Sequence, residues 1–366
     1  MSGLYIHVPF CESKCAYCDF YSLGKRDTNL QDQYVKALLN EWAVRKKAID
    51  NTIRTIYIGG GTPSLLTPRQ LTLIASAIPP ANSAEEFTIE VNPEDVDPEF
   101  ARLIKDLGIN RVSMGIQSFD DAQLKLVGRR HTARRAQEAF SILRKAGINN
   151  ISCDLIFGLP GQTLNSWKES LNRLIGMDPE HISAYILSYE PGTRLYAMKR
   201  RGLVAEADDS LIEEMYAFLC QAMREAGYEH YEISNYAKPG FRSRHNSSYW
   251  DYTPYLGLGP GAHSFYDGKR WCNTPDIRGY IRADGLLSES ESIDSVQQIN
   301  ERIMLGLRTK DGLLINERFR ESGVMDDARP FIDSGILIAC DNRLSFDEKH
   351  WLISDMVISE LFRDQS

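Results

Sequence analysis

Apolar residues in the first half of the chain follow two alternating patterns. Short runs rich in β-branched residues predict strands at residues 4–8, 55–58, 87–91, 111–116, 151–157 and 181–186. Between them, apolar residues at helical spacing predict helices at residues 30–47, 68–78, 98–107, 132–146 and 164–176. Repeated strand–helix units of this α/β type build a parallel sheet, which is either open or curved into a barrel.

Nearly every predicted strand ends in polar or glycine residues. The carboxyl ends of parallel strands lie on one face of a barrel, so we expect these residues to line a common pocket. Six units are too few to close an eight-stranded barrel, and we therefore predict a partial (β/α)6 barrel over residues 1–207, open on one side for a large substrate. The residues at the strand ends are Cys11, the glycines at 59–61, Glu90, Asn92, Gln117, Asp154 and Ser188.

The pattern changes after residue 207. A long amphipathic helix at 209–226 opens a segment, 208–285, that is rich in aromatic residues and glycine. Helices at 294–307, 316–322 and 329–333, a hairpin at 335–346 and a last helix ending at residue 361 predict a mostly helical, winged-helix-like domain over 286–366. Winged helices often bind DNA, but residues 289–366 carry 9 Lys and Arg against 16 Asp and Glu, a balance that repels phosphates. We expect this domain to serve packing instead.

Composition narrows the class of protein further. The chain has 366 residues, 43% of them hydrophobic, and a formal net charge of −8, which argues against nucleic acid as the main partner. No apolar stretch approaches the ~20 residues that a transmembrane helix needs, although contact with a membrane surface stays open. Seven cysteines are an odd count, and the first residues lack a signal-peptide pattern, so we expect a reduced, cytoplasmic protein.

Three cysteines near the start of the chain, Cys11, Cys15 and Cys18, have the spacing C-x3-C-x2-C. Three thiolates on one loop can hold a [4Fe-4S] cluster and leave its fourth iron open to an exchangeable ligand. The alternatives are ordinary buried thiols or a zinc knuckle. A structural zinc site needs a fourth ligand, usually from a second cysteine pair, and the other four cysteines are scattered singly. We therefore predict an iron–sulfur site.

A glycine run follows the second predicted strand, at residues 59–61, with Thr62 and Pro63 after it. The bare backbone allows a ligand to approach closely, although a tight turn would use the same residues. Together with the cysteine spacing, this run resembles the radical S-adenosylmethionine (SAM) superfamily. The resemblance narrows to the branch that contains oxygen-independent coproporphyrinogen III oxidase, and it extends through nearly the whole chain. The motifs that carry it are Y-I-H-V-P-F-C at 5–11, G-G-G-T-P-S at 59–64, I-E-V-N-P at 89–93, S-M-G-I-Q-S-F at 113–119 and D-L-I-F-G-L-P-G-Q-T at 154–163.

The resemblance implies a cofactor site and a generic chemistry. In that branch, the α-amino and α-carboxylate groups of SAM bind the open iron, and one electron from the reduced cluster cleaves SAM to a 5′-deoxyadenosyl radical. Glu90 would meet a positive charge of SAM and Asp154 would accept from the ribose hydroxyls. Arg129 would pair with the carboxylate or, like the arginines after it, face solvent at a helix start. The positions that match SAM contacts are Tyr5, Gly60, Gly61, Thr62, Glu90, Gln117, Arg129 and Asp154.

Two features depart from the decarboxylating enzyme. Phe20 stands where that enzyme has a further cysteine, and only ten residues precede Cys11, which leaves no room for the enzyme's N-terminal arm. Both features resemble the HemW group of radical SAM proteins, which are regarded as haem chaperones. A third marker is R-H-N-S-S-Y-W at 244–250, which matches the H-N-x-x-Y-W signature associated with haem in that group. The signature implies haem contacts by His245, Asn246, Tyr249 and Trp250.

The His245 imidazole is the candidate axial ligand of the haem iron, and Tyr249 and Trp250 offer flat apolar faces to the macrocycle. A histidine buried in the core is the alternative reading of His245. Two main functions are compatible with these patterns, and radical chemistry on another tetrapyrrole is a third possibility. The first is a haem chaperone that binds haem and transfers it to an acceptor haem protein of unknown identity, on a scaffold that keeps the cluster and SAM.

The second function is that of an enzyme, oxygen-independent coproporphyrinogen III oxidase, which decarboxylates the propionates of its substrate by radical chemistry. Phe20 and the short segment before Cys11 favour the first function over the second. We therefore predict haem transfer rather than coproporphyrinogen turnover.

Overall fold

The computed structural model describes residues 2–24, 27–48, 53–78 and 84–363. Its centre is a sheet of six parallel strands, each paired with the next strand in chain order. All six strands predicted from the sequence are present, and the partial barrel is confirmed. The strands are β1 Ser2–Val8, β2 Ile53–Gly60, β3 Glu86–Val91, β4 Arg111–Gln117, β5 Ile151–Phe157 and β6 His181–Ile186.

Helices connect the barrel strands and pack on the outer face of the sheet. Local sequence sets where they begin: Thr67 and Gln70 form a capping box at the second helix, and Asp97 caps the third. Five of these helices match the predicted ones within two residues at each end, and two short ones were not predicted. The helices are α1 Thr28–Arg45, α2 Pro68–Ala77, α3 Pro98–Asp106, α4 Asp121–Leu126, α5 Ala133–Lys145, α6 Leu164–Gly176 and α7 Arg194–Arg200.

The sheet does not close, and both of its edges continue into strands from the second half of the chain. These strands are β7 Glu229–Glu232, β8 Asn235–Ala237, β9 Tyr255–Leu258, β10 His263–Tyr266, β11 Lys269–Asn273 and β12 Ser288–Ser292. Strand β9 runs parallel to β1, with Tyr255 opposite Gly3, and β10 to β12 follow it as antiparallel strands. On the other edge, β8 and β7 pair antiparallel beside β6. Residues 229–292 therefore complete one twelve-stranded sheet.

Three helices accompany these added strands: α8 Asp209–Glu225, α9 Arg244–Trp250 and α10 Ile277–Arg282. Helix α8 packs on α6, where Trp167 Nε1 donates to the Met215 carbonyl at 3.0 Å. Helix α9 lies at the amino ends of the barrel strands, where its His245 contacts Gly3 and Thr55. The barrel is thus open at its carboxyl end and covered at its amino end.

The interior of the barrel is polar, whereas closed βα barrels fill theirs with branched apolar side chains. Apolar residues on the opposite side of the same strands, such as Ile56, Ile89 and Val112, belong to the core under the helices. The buried polar residues of the strands include His7, Thr55, Thr88, Arg111, Ser113, Ser152, His181 and Ser183. Side chains alternate between the two faces of a strand, so one face carries the core and the other can meet polar ligands.

The C-terminal part has the predicted winged-helix-like arrangement. It contains helices α11 Ser295–Leu307, α12 Glu317–Glu321, α13 Val324–Asp333 and α14 Ser354–Glu360, with strands β13 Leu313–Leu314, β14 Leu337–Cys340 and β15 Arg343–Phe346 in one antiparallel sheet. Helix α13 begins five residues earlier than predicted, after Gly323 with a φ of 81°, and Pro330 lies within it. Among the described residues, none of the helices is both long and apolar enough to span a membrane.

Candidate iron–sulfur and cofactor site

A cavity of about 490 Å³ opens at the carboxyl ends of the parallel strands. All three predicted cluster cysteines and seven of the eight expected SAM positions line it. Tyr5 is the exception, because its hydroxyl bonds to His7 Nδ1 at 2.9 Å and the side chain is not part of the lining. The predicted residues that meet in the cavity are Cys11, Cys15, Cys18, Gly60, Gly61, Thr62, Glu90, Gln117, Arg129 and Asp154.

The three cysteines lie on the loop that follows β1. Backbone hydrogen bonds hold this loop from two sides: Ala16 N donates to the Val127 carbonyl at 2.8 Å, and Leu195 N donates to the Ala16 carbonyl at 2.7 Å. Burial raises the pKa of the Cys11 thiol, and it raises the pKa of Cys18 to about 11. A metal that binds here would have to displace the protons of these thiols, because the thiolate is the ligating form.

Two side chains donate toward the sulfur atoms. Thr62 Oγ1 lies 3.5 Å from Cys11 Sγ, and Arg129 Nη1 lies 3.5 Å from Cys15 Sγ. Hydrogen bonds to cluster thiolates stabilise their negative charge and tune the reduction potential of the cluster. The loop therefore fits a [4Fe-4S] cluster in its number of thiols and in the donors around them.

The glycine run at 59–61 fits tightly against β1 and the cysteine loop. Gly60 has a φ of 106°, in the left-handed region that favours glycine. A Cβ atom at Gly61 would lie 2.6 Å from the Phe10 carbonyl oxygen and 2.8 Å from that of Val8, so no side chain fits there. Gly61 N donates to the same Val8 carbonyl at 2.8 Å. Packing alone therefore requires glycine, and the bare backbone that results forms one wall of the cavity.

Two half-buried carboxylates face the cavity. Glu90 accepts from the Tyr57 hydroxyl at 2.8 Å and from Gly60 N at 3.0 Å, and Asp154 accepts from the Ser113 hydroxyl at 3.3 Å. Burial raises the pKa of Glu90 to about 7 and also raises the pKa of Asp154. Neither carboxylate forms an ion pair with a lysine, arginine or histidine of the described residues. A cationic ligand would stabilise both, which fits the ammonium and sulfonium groups of SAM.

Arg129 faces the cavity rather than solvent, which decides between its two expected positions. Its Nη2 donates to Asn92 Oδ1 at 2.7 Å and to the Gly115 carbonyl at 2.6 Å, whereas the buried Nε makes no hydrogen bond to a described residue. Gln117, at the end of β4, has a φ of 67°, a strained value for a residue with a side chain. A guanidinium beside the Cys15 thiol suits the carboxylate of SAM.

The residues expected to contact haem lie at the opposite end of the barrel, on α9. Glu86 of β3 caps this helix: its carboxylate accepts from Arg244 N at 2.8 Å and from His245 N at 2.9 Å. Helix α9 is therefore fixed to the amino ends of the strands. None of the four expected haem contacts, His245, Asn246, Tyr249 and Trp250, lines the cavity that holds the cysteines.

The His245 imidazole has no free nitrogen. Its Nδ1 lies 2.9 Å from Thr55 Oγ1, its Nε2 lies 2.9 Å from the Tyr249 hydroxyl, and its ring stacks on Tyr57 with a centroid distance of 5.2 Å. The residue is 1% exposed, and burial lowers the pKa of the imidazole to about 3. In this conformation His245 is a buried core histidine that cannot ligate iron. Its Nε2 becomes available only when the bond to Tyr249 opens.

Two residues outside the expected set connect the ends of the barrel. Tyr57 bonds Glu90 through its hydroxyl and stacks on His245 through its ring. Arg111 is 1% exposed, and its Nε and Nη1 make no hydrogen bond to a described residue. Burial raises the pKa values of Glu90 and Asp154, and the Arg111 charge opposes this shift. Arg111 is the first residue of a strand that is otherwise mostly buried. A charged residue at such a position is the sequence signal that could have identified it as part of the site.

Comparison with known proteins supports the family resemblance of the sequence motifs. Residues 5–174 match the family model of the radical SAM superfamily. Relatives named heme chaperone HemW from Lactococcus lactis and Bacillus subtilis are each 37% identical, over 86% and 88% of this chain and 84% and 86% of theirs. The Escherichia coli protein of that name is 35% identical, over 91% of this chain and 90% of its own.

Among solved structures, coproporphyrinogen III oxidase (HemN) from Escherichia coli, described as a radical SAM enzyme, superposes with a TM-score of 0.82 over 98% of this chain and 89% of that chain. At 19% identity this match shows a shared fold. The radical SAM family implies a [4Fe-4S] cluster and SAM, and the thiols, carboxylates and arginine of the cavity fit both groups. With relatives 35–37% identical across most of both chains, the chain belongs to the HemW family of the radical SAM superfamily.

Proposed function

We propose that this protein binds haem and passes it to an acceptor haem protein, with a [4Fe-4S] cluster and SAM held in the cavity. The observation that carries the proposal is the extent of the similarity: relatives named heme chaperone are 35–37% identical over 84–90% of their own length. We also propose a cytoplasmic location, because a cluster on thiolate ligands requires a compartment that keeps cysteines reduced.

In the cavity, we assign the cluster to the thiolates of Cys11, Cys15 and Cys18. When bound, the cluster and SAM supply one-electron chemistry. The backbone at Gly60 and Gly61 allows SAM to approach closely, and Thr62 donates toward the Cys11 sulfur. The charged groups of SAM have matching partners in this chain: Glu90 and Asp154 for its cationic and hydroxyl groups, and Arg129, beside Gln117, for its carboxylate.

Phe20 favours haem transfer over coproporphyrinogen decarboxylation. It lies on the rim of the cavity and is 67% exposed, at the position where the decarboxylating enzyme has a further cysteine. Tyr185 and Ile186, which are 41% and 46% exposed, continue the rim. The mouth of the cavity thus presents apolar side chains in place of an additional thiol.

For haem itself, we propose a site at α9 that forms when the helix loosens. A cleft of about 360 Å³ lies beside this helix, and Arg54, Thr55 and Arg244 contribute to its walls. Both arginines form ion pairs with Glu85. The two propionates of haem carry the same charge as Glu85 and could replace it on these arginines, because exposed ion pairs exchange partners at little cost.

Loosening α9 would also supply the iron ligand. When the Tyr249 hydroxyl leaves His245 Nε2, the imidazole gains a free nitrogen and stays neutral, which is the form that ligates iron. Trp250, whose buried Nε1 has no partner among the described residues, carries a flat ring on the same short helix, and Asn246 adds an amide. In this proposal Tyr249 acts as a latch on His245.

Anaerobic haemin titration of the cluster-loaded protein, followed by absorbance, tests the function and the latch together. We expect near-stoichiometric binding by the wild type and weaker binding by His245→Ala. Tyr249→Phe keeps the ring but removes the competing hydroxyl, so haem affinity should rise about fivefold, the equivalent of one hydrogen bond of about 1 kcal/mol. Tyr252→Phe is the matched control, because its hydroxyl bonds Glu301 rather than His245.

The outcomes separate the function from the site. If the wild type binds no haem, haem transfer is wrong, and coproporphyrinogen turnover becomes the assay for the alternative. If all four proteins bind haem equally, haem binding stands but His245 is not the ligand. Opposite shifts in His245→Ala and Tyr249→Phe, with Tyr252→Phe unchanged, are the result that the latch requires.

A further inference from the structure

A third polar site lies between the barrel and the C-terminal part, away from both ends discussed above. Cys220 lies on α8, His230 lies on β7, and Glu348 opens the 3-10 turn Glu348–Ile353 that follows the last strand. The sulfur, an imidazole nitrogen and a carboxylate oxygen of these residues all lie within 4.8 Å of one another. Two of these possible metal ligands thus come from β7 of the sheet and from α8, and the third comes from the C-terminal part.

His230 is the most constrained member of this group. Its Nδ1 lies 2.9 Å from Glu348 Oε1, and its buried Nε2 makes no hydrogen bond to a described residue. The ring stacks on Tyr236 at a centroid distance of 4.0 Å and meets the edge of Trp351 at 4.1 Å. The residue is 7% exposed, so this orientation is fixed by packing. Nδ1 is therefore the nitrogen that lies beside Glu348, and it is the one that a metal shared by the two side chains would take.

The charge states of these side chains suit a cation. Burial lowers the pKa of His230, although Glu348 opposes this shift, and the neutral imidazole is the form that ligates metals. The bond to His230 lowers the pKa of Glu348 and keeps it a carboxylate. Arg224 occupies only the second oxygen, at 3.1 Å from Oε2, which leaves Oε1 on the side of His230. Burial raises the pKa of Cys220, so the thiol keeps its proton until a metal displaces it.

The group is reachable from solvent. A cavity of about 530 Å³ borders Cys220, His230 and Glu348 on one side, and a second of about 510 Å³ borders Cys220 and Glu348 on the other. Both cavities lie along the seam between α8 and the tail. A hydrated ion could enter through either, whereas a haem could not stack on His230, because Tyr236 and Trp351 already cover its ring.

We propose that Cys220, His230 and Glu348 bind one divalent transition-metal ion, of which Zn²⁺ is the representative, and that the ion fastens the C-terminal part to the barrel. Zinc bonds of about 2.0–2.3 Å place ligand atoms about 3–4 Å apart, so the three groups need to close by only about 1 Å. Binding releases the Cys220 proton, and the proton that His230 Nδ1 shares with Glu348 moves to Nε2. Three protein ligands leave the fourth position to water. This site is independent of haem transfer.

The test uses the protein loaded with its iron–sulfur cluster, equilibrated with Zn²⁺ and freed of excess ion. Zinc and iron are then counted by mass spectrometry, and the zinc environment is read by X-ray absorption at the zinc edge, which iron does not obscure. We expect about one zinc per chain with one sulfur ligand and three lighter ligands, one of which is water. Cys220→Ala should lose nearly all of this zinc, and Glu348→Gln should retain at most about a tenth.

Cys340→Ala is the matched control, because Cys340 is exposed and outside the group. Its zinc content should equal that of the wild type. Zinc should also raise the thermal midpoint of the wild type but not that of Cys220→Ala. Three results would overturn the site: no zinc in the wild type, equal zinc in wild type and Cys220→Ala, or a zinc spectrum with three sulfur ligands together with lost iron, which would place the ion on the cluster cysteines.

Discussion

At the carboxyl ends of the barrel strands, charged groups keep unused bonding capacity among the described residues, whereas at the amino ends α9 supplies partners to the groups it meets. Glu90 faces the cavity without a described cation, and Arg129 Nε has no described acceptor. At the other end, Glu86 binds two backbone N–H groups, and both nitrogens of His245 are bonded. On the proposed assignments, the cluster and SAM can enter the first end as it stands, whereas haem ligation by His245 would require α9 to loosen.

The two ends of the barrel differ in this respect, but two residues interact with both. Tyr57 touches both, because its hydroxyl bonds Glu90 at one end and its ring stacks on His245 at the other. Arg111 places a positive charge between them, which opposes protonation of Glu90 and also lowers the pKa of His245. Substitutions at each end and at these two residues can therefore test whether the two ends act separately.

The largest effect is expected at the cysteine loop. Replacing Cys11, Cys15 or Cys18 with Ala should abolish the cluster, because each thiolate holds a different iron. Iron and sulfide content and the absorbance near 400 nm of reconstituted protein measure this loss. Cys340→Ala, which removes an exposed thiol on strand β14 of the C-terminal part, is the control and should keep a full cluster. A cluster-specific spectrum of full intensity in any of the three loop variants would show that the ligands lie elsewhere.

Glu90→Gln should weaken SAM binding by about 10- to 100-fold, the equivalent of a hydrogen bond to a charged group. The pKa of about 7 adds a pH signature. Because the carboxylate loses its proton as pH rises through 7, wild-type affinity for the cationic SAM should increase about tenfold between pH 6 and pH 8. Calorimetric titration at both pH values checks this, and the increase should vanish in the variant. A pH response that survives in Glu90→Gln would assign it to another group.

At the amino end, Glu86→Gln should lower the free energy of unfolding by about 1–3 kcal/mol, because the capping carboxylate of α9 is buried and loses its charge-assisted bonds. Urea denaturation followed by circular dichroism measures the change. Glu85→Gln is the matched control: its ion pairs with Arg54 and Arg244 are exposed, and its removal should leave the transition unchanged. Equal effects of the two substitutions would mean that the cap does not hold the helix.

Arg111→Met separates stability from cofactor binding. The guanidinium makes no hydrogen bond to a described residue through Nε or Nη1, so an apolar side chain of similar length should leave the unfolding midpoint unchanged or higher. Without this charge, the pKa values of Glu90 and Asp154 should rise, and SAM affinity at pH 7 should fall roughly three- to tenfold. A loss of stability with normal SAM binding would show instead that Arg111 supports the fold.

The smallest effect is expected from Tyr57→Phe, which keeps the ring on His245 and removes only the bond to Glu90. The pKa of Glu90 should rise, because the hydroxyl that stabilises its carboxylate is gone. SAM affinity at pH 7 should fall about two- to fivefold, while haemin affinity stays unchanged. A change in haemin affinity of the same size would show that the two ends respond to each other through this residue.

Much of the carboxyl end could be predicted from the sequence, because its residues follow strands whose apolar patterns are local. Once six parallel strands are recognised, the polar residues after them must meet on one face. That step placed Glu90, Gln117 and Asp154 together with the cysteines, and the cavity contains all of them. Tyr5 does not line the cavity, and its hydroxyl bonds His7, a contact that no spacing rule specifies; its contact with SAM stays a prediction.

The amino end could not be predicted in the same way. The position of α9 depends on contacts between distant segments, such as Thr55 with His245 and Glu86 with Arg244. A motif of seven residues says which side chains are near one another on a helix, but not what that helix packs against. Without those contacts, a free axial ligand and a buried histidine look identical in the sequence. Strands β7 and β8, which extend the sheet beside β6, could not be predicted from local patterns either.

Strand β1 has one further consequence, which concerns the order in which the molecule can be assembled. Its two neighbours are β2 and β9, so Gly3 pairs both with Thr55 and with Tyr255. During synthesis the first neighbour emerges early, but the second emerges only after most of the chain has been made. The cysteine loop directly follows β1, and until β9 has been made this strand has only one of its two neighbours. We therefore expect stable cluster insertion to follow the emergence of β9, and a ribosome stalled before residue 255 to carry a chain that retains iron poorly.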